Sequence, residues 1–152
     1  MAVGWRIVKE KHSGSAFSGE GARLFGGRWN SPGTSLVYTS STQSLAALET
    51  LVHLNPPILF RYLAFRFEFD DSLSEQIPTA ELADDWRTEP PAPSTMVLGD
   101  GWVRAGRTAV LIVPSVILTS ETNFLLNPRH PEFRRIKIGS PEPFAFDPRL
   151  LP

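Results

Sequence analysis

An arginine at 28, a tyrosine at 38 and a glutamate at 49 fall inside one glycine-rich stretch, GEGARLFGGRWNSPGTSLVYTSSTQSLAALET, running from Gly19 to Thr50. A guanidinium offers a planar fork to phosphate oxygens or ribose hydroxyls. A phenol ring can stack on a flat heterocycle, and a lone carboxylate can steady a developing positive charge. Together these groups are equipment for splitting NAD at its glycosidic bond. Taken singly, each also fits a structural role: Arg28 as a surface arginine in a turn, Tyr38 as core packing with its hydroxyl at the edge, Glu49 as a solvated helical glutamate. Ser115 interrupts the apolar run VLIVPSVIL, where a hydroxyl either satisfies a local backbone group or faces a ligand.

Other chemistries fit less well. Gly26-Gly27-Arg28 lacks the Gly-Lys-Ser/Thr ending of a P-loop. The three histidines, His12, His53 and His130, have no metal-ligand spacing, and cysteine is absent, so no metal site is expected. No Gly-x-Ser-x-Gly elbow points to a serine hydrolase. The formal net charge of -1 gives no global attraction to nucleic acid. The start, MAVGWRIVKEKHSGS, lacks the apolar core of a signal peptide, and no apolar run approaches a membrane span. A cytoplasmic protein that touches neither membrane nor nucleic acid is the expectation.

The elements that must position these residues are short. Fourteen prolines and eleven glycines in 152 residues argue against a helical bundle. Trp5–Lys9 reads as a strand and residues 11–21 as a loop. Ser35–Ser40 reads as a strand with Leu36 and Tyr38 on one face and Val37 and Thr39 on the other. Ser41 or Thr42 can cap a helix from Gln43 to Leu54, which places Ala46, Glu49 and His53 on one face. Leu59–Asp70 alternates with period two, its phenylalanines on the expected core side. Pro78 can open a short helix through Trp86, and Glu89–Ser94, with three prolines, reads as a loop. Thr108–Val113 and Val116–Leu118 read as buried strand, and Arg134–Ile138 and Phe144–Phe146 as short late strands. The fold class expected is α+β: one compact domain over 1–152, with mostly antiparallel strands and helices packed on them.

Taken in order, WRIV, GGRWNSPGTSLVYTS, SLAALETLVHL, VPSVIL, NFLLNP with RHP, and FDPRL resemble the RES-domain family, the toxins of bacterial RES–Xre toxin–antitoxin pairs. The motifs run from Trp5 to Leu150. The resemblance carries the family's arginine onto Arg28, its tyrosine onto Tyr38, its glutamate onto Glu49 and its serine onto Ser115. It implies an ADP-ribosyltransferase-like fold with an NAD cleft, NAD as a consumed substrate without a metal, and a cognate Xre-type helix-turn-helix antitoxin. It also implies a toxin that dimerises in the complex with that antitoxin. Family members hydrolyse or phosphorolyse NAD, or transfer ADP-ribose to a protein; Ala47, two positions before Glu49, leans toward degradation. A non-catalytic nucleotide-binding module is the alternative from another class.

Overall fold

In a computed structural model, described for residues 1–53 and 60–150, a curled sheet carries three short helices. The strands are β1 (Ala2–Lys9), β2 (Val37–Ser40), β3 (Tyr62–Phe69), β4 (Ser74–Gln76), β5 (Val110–Pro114), β6 (Thr122–Leu126), β7 (Lys137–Ile138) and β8 (Glu142–Phe144). Their order is β4-β5-β6-β2-β1-β3-β7, with β8 also on β3. All described pairings are antiparallel except β4 with β5. The α+β expectation therefore holds, and the helices α1 (Glu20–Phe25), α2 (Gln43–Leu51) and α3 (Pro93–Ala105) are few and short.

The period-two pattern of β3 buries Phe67 and Phe69 completely, in a cluster with Val37, Val110, Phe124 and Leu126. Each such side chain contributes about 1.5–3 kcal/mol on leaving water. The alternate positions are covered too: Tyr62 and Ala64 pack with Ile7 and Ala46, beneath α2. A third cluster, Trp29, Leu36, Trp102, Leu111, Val113 and Leu125, joins α3 to the sheet.

The sheet is not uniformly zipped. β1 and β3 share eight register pairs, whereas β1 and β2 share one, Trp5 with Ser40. Where the ladder is lost, the Arg6 side chain bridges instead, its Nη1 donating to the Tyr38 carbonyl at 2.7 Å and its Nε to the Ala16 carbonyl. The main cleft opens along this seam.

Several elements differ from the sequence reading. Residues 11–21 hold a 3-10 turn (Glu10–Ser15) and the start of α1. Pro78 opens only a 3-10 turn, Thr79–Glu81, and the chain then loops to Pro93, where α3 begins inside the expected loop. α3 escapes a propensity reading because PSTMVLGDGWVRA carries a proline and two glycines. Val116–Leu118 is not strand. The Ser115 hydroxyl captures the backbone N–H groups of Ile117 and Leu118, both at 3.1 Å, and turns the chain away from the ladder after Pro114. The next strand is β6, two turns further on. Arg134 and Arg135 end a 3-10 turn, so β7 is only Lys137–Ile138, and β8 ends at Phe144. The expected end of α2 at Leu54 and start of β3 at Leu59 lie outside the described residues.

Candidate functional site

Arg28, Tyr38 and Glu49 all line one cleft of about 1440 Å³ along the β1–β2 seam. That exceeds the roughly 300–1,000 Å³ typical of small-ligand pockets and suits a dinucleotide. Three different elements deliver the three residues: a tight turn, a strand and a helix.

Arg28 sits in the turn between α1 and β2. Gly27 and Asn30 form an isolated bridge there. A Cβ on Gly27 would lie 2.6 Å from the Tyr38 hydroxyl, so only glycine lets turn and strand approach this closely. The far side of the turn rests on α3. Thr95 donates to the Arg28 carbonyl at 2.6 Å, Asp100 accepts from the Ser31 amide and hydroxyl, and a Cβ on Gly99 would meet the Trp29 carbonyl oxygen at 1.7 Å. The Arg28 side chain is 12% exposed, and its guanidinium is bound by the segment from Trp86 to Glu89. Nη1 donates to the Trp86 and Thr88 carbonyls at 3.0 and 2.9 Å, and Nη2 to the Glu89 carboxylate at 2.8 Å. Arg28 thus stitches two loops together while one side of it lines the cleft.

Tyr38 is on β2. Its hydroxyl accepts from the Trp29 amide at 2.9 Å and donates to Asn30 Oδ1 at 2.6 Å. The fully buried Asn30 in turn donates to the Ala22, Ser31 and Thr34 carbonyls. The ring edge is fixed and a ring surface faces the cleft. Burial holds the phenol well above the usual tyrosine range, so it stays protonated.

Glu49 is on α2, whose N-cap Thr42 accepts from the Leu45 amide at 3.1 Å. Ala46, Glu49 and Thr50 of α2, with His53 just past its end, line the cleft. Glu49 Oε1 accepts from Ser115 Oγ and from Asn123 Nδ2, both at 2.8 Å. Among the described residues nothing donates to Oε2. Ser115 is fully buried behind the carboxylate and is not a lining residue of the cleft. The sequence reading has this hydroxyl position a ligand; in the structure it donates to Glu49 Oε1.

Two lining residues went unremarked in the sequence as chemistry. Arg6, on β1, faces the cleft, and among the described residues no carboxylate pairs with it. Burial draws its guanidinium down to about 10, still protonated at neutral pH. Asn123, on β6, belongs to NFLLNP, a motif legible only as part of the resemblance. Tyr62 also lines the cleft, and its buried hydroxyl has no hydrogen-bond partner among the described residues. Among those residues no group of His, Cys, Asp or Glu is arranged to hold a metal, and no helix is long and apolar enough to cross a membrane.

Residues 4–147 match the RES domain model. The chain belongs to the RES domain family. Relatives extend over nearly its whole length. "Toxin Res" of Yersinia enterocolitica serotype O:8 / biotype 1B is 38% identical over 148 residues, covering 96% of this chain and 97% of that one. "Prs ADP-ribosylating toxin" of Sphingobium sp. strain YBL2 is 40% identical over 154 residues, covering 97% and 95%. Among solved structures, the Mycobacterium tuberculosis MbcT–MbcA toxin–antitoxin complex contains a chain of the same fold. It has a TM-score of 0.72 at 16% identity, over 95% of this RES chain and 84% of that one.

Proposed function

We propose that this RES-domain chain is the toxin of a toxin–antitoxin pair and consumes NAD by breaking the nicotinamide–ribose bond. The observation that carries the reading is the Glu49 carboxylate: one oxygen accepts from Ser115 and Asn123, no described residue donates to the other, and the residue lines a cleft shared with Arg28, Tyr38 and Arg6. Relatives named toxins at 38% and 40% identity support it.

The C–N bond breaks heterolytically, and its electron pair goes to the ring nitrogen of a cationic nicotinamide, which leaves neutral. No proton is needed for departure, so one carboxylate suffices where ordinary glycosidases need two. Glu49 Oε2 stabilises the oxocarbenium-like ribosyl cation and binds ribose hydroxyls. Tyr38 offers its ring to nicotinamide. Arg6, charged and unpaired by any described carboxylate, meets the pyrophosphate, and Arg28 holds the wall against which the dinucleotide lies. Water then adds to the cation and releases a proton, giving ADP-ribose; inorganic phosphate gives the 1-phosphate.

Ala47 packs with the apolar cluster of Ile7, Ala46, Tyr62 and Ala64 and brings no second acidic group to the cleft, which favours degradation. The name of the Sphingobium relative favours the other reading, transfer of ADP-ribose to a protein side chain. Purified chain incubated with labelled NAD, with and without phosphate and lysate, separates them: free ADP-ribose or its phosphate supports degradation, a labelled protein band supports transfer. Glu49→Ala should lower NAD loss by about 10²–10³-fold while melting like wild type. Wild-type NAD loss in that folded variant rules out the role given to Glu49. The antitoxin is an Xre-type partner that blocks the cleft; co-purification with the product of an adjacent reading frame tests this.

A further inference from the structure

The Glu49 carboxylate is oriented by donors whose own directions are fixed by third groups. A serine hydroxyl has one proton to give. At Ser115 the acceptor side is occupied by the Ile117 and Leu118 amides, so the proton points to Glu49 Oε1. Asn123 presents the same question as an amide flip. Its Oδ1 accepts from Ser40 Oγ at 2.9 Å, which leaves Nδ2 facing Glu49. The flipped amide would set Oδ1 against Oε1, two acceptors in contact. Ser40 and Asn123 are register partners on β2 and β6, so the strand ladder itself holds the pair in place. Ser40 is 3% exposed, and among the described residues its side chain bonds to Asn123 alone.

We infer that Asn123, oriented by Ser40, is a positioning residue that fixes Glu49 in one rotamer with Oε2 presented to the cleft. The inference rests on the NAD-cleaving reading of the same site. Glu49 lies on a helix, and a helical glutamate has three rotatable side-chain bonds. Two donors converging on Oε1 remove that freedom before substrate arrives, which is what preorganisation requires. The Ser40–Asn123 arm ties the carboxylate to the sheet; the Ser115 arm ties it to the turn after β5.

The test is a double-mutant cycle in the full chain: Ser40→Ala, Asn123→Ala, both together, and Ser40→Thr, with steady-state NAD consumption, ADP-ribose affinity and thermal melting measured for each. Asn123→Ala should lower kcat by about 10²-fold with KM changed little. Ser40→Ala should lower kcat about 2–12-fold, the worth of one neutral hydrogen bond. In the Asn123→Ala background the same Ser40 change should cost nothing further. Ser40→Thr, which keeps the hydroxyl, should restore the rate. Additive losses, or losses that track the melting temperature, overturn the arrangement. A rise in KM and loss of ADP-ribose affinity for Asn123→Ala also overturns it, since Asn123 would then touch substrate itself. If the wild-type chain cleaves NAD and Asn123→Ala cleaves it equally well, this inference fails and the parent reading stands. A wild-type chain that leaves NAD intact in every buffer removes both.

Discussion

Tyr38 and Arg6 show how much of the site is built from hydrogen bonds that no sequence pattern announces. Arg28, Tyr38 and Glu49 were legible as residue types in a glycine-rich stretch, and the cleft gathers all three. Their supports were not legible. Asn30, Asn123 and Arg6 act through partners 8, 74 and 32 positions away, and such spacing leaves no local signature. Tyr38→Phe should cost about 1–3 kcal/mol in urea unfolding, because it strands the buried Asn30 Oδ1 and the Trp29 amide together. Arg6 carries a pH prediction. Its folded-state value, about 10, lies below the ordinary arginine range, so folding disfavours the charged form; that cost is present at neutral pH and is relieved as pH rises through about 10. Activity moves the opposite way. NAD cleavage should hold to about pH 9 and fall as Arg6 loses its proton, and in Arg6→Lys the falling limb should move to lower pH. A rate profile identical in the two chains would remove Arg6 from phosphate binding.

The elements divide by how local their causes are. β3 was readable because alternation over eight residues is a strong periodic signal, and α2 because its cap and apolar face are contiguous. α3 and the turn after Pro114 were not, because each is set by a contact distant in sequence or by a side chain that competes with the backbone. α3 matters most here, since it is the bench on which the Arg28 turn rests. Gly99→Ala drives a methyl group into the Trp29 carbonyl and should cost at least the roughly 1–3 kcal/mol of an overpacked core, with loss of activity in the same variant. By contrast Thr42→Ala removes only the cap of α2 and should cost about 1 kcal/mol, read by the same unfolding curve. Arg28→Ala is a mixed experiment at this level. It frees the Trp86–Glu89 loop as well as emptying a place in the cleft, so its loss of activity should come with a lower melting temperature, whereas Glu49→Ala should not show one.

Across the molecule, the α+β class followed from many short elements and abundant turn residues, whereas strand order was set by pairings the chain does not advertise. The seam between β1 and β2 is the clearest case. Among the described residues, one register pair and the Arg6 side chain cross it on the backbone, while the Phe67 and Phe69 core packs beneath both segments. A dinucleotide lying across that seam would touch both walls and act as a strut. ADP-ribose should therefore raise the midpoint of thermal unfolding and slow amide exchange along Trp5–Val8. Equal exchange with and without the nucleotide would show that the walls are already rigid. On the NAD-cleaving reading, substrate and product both brace the walls, so the chain is loosest, and most open to proteases, where neither nucleotide is bound.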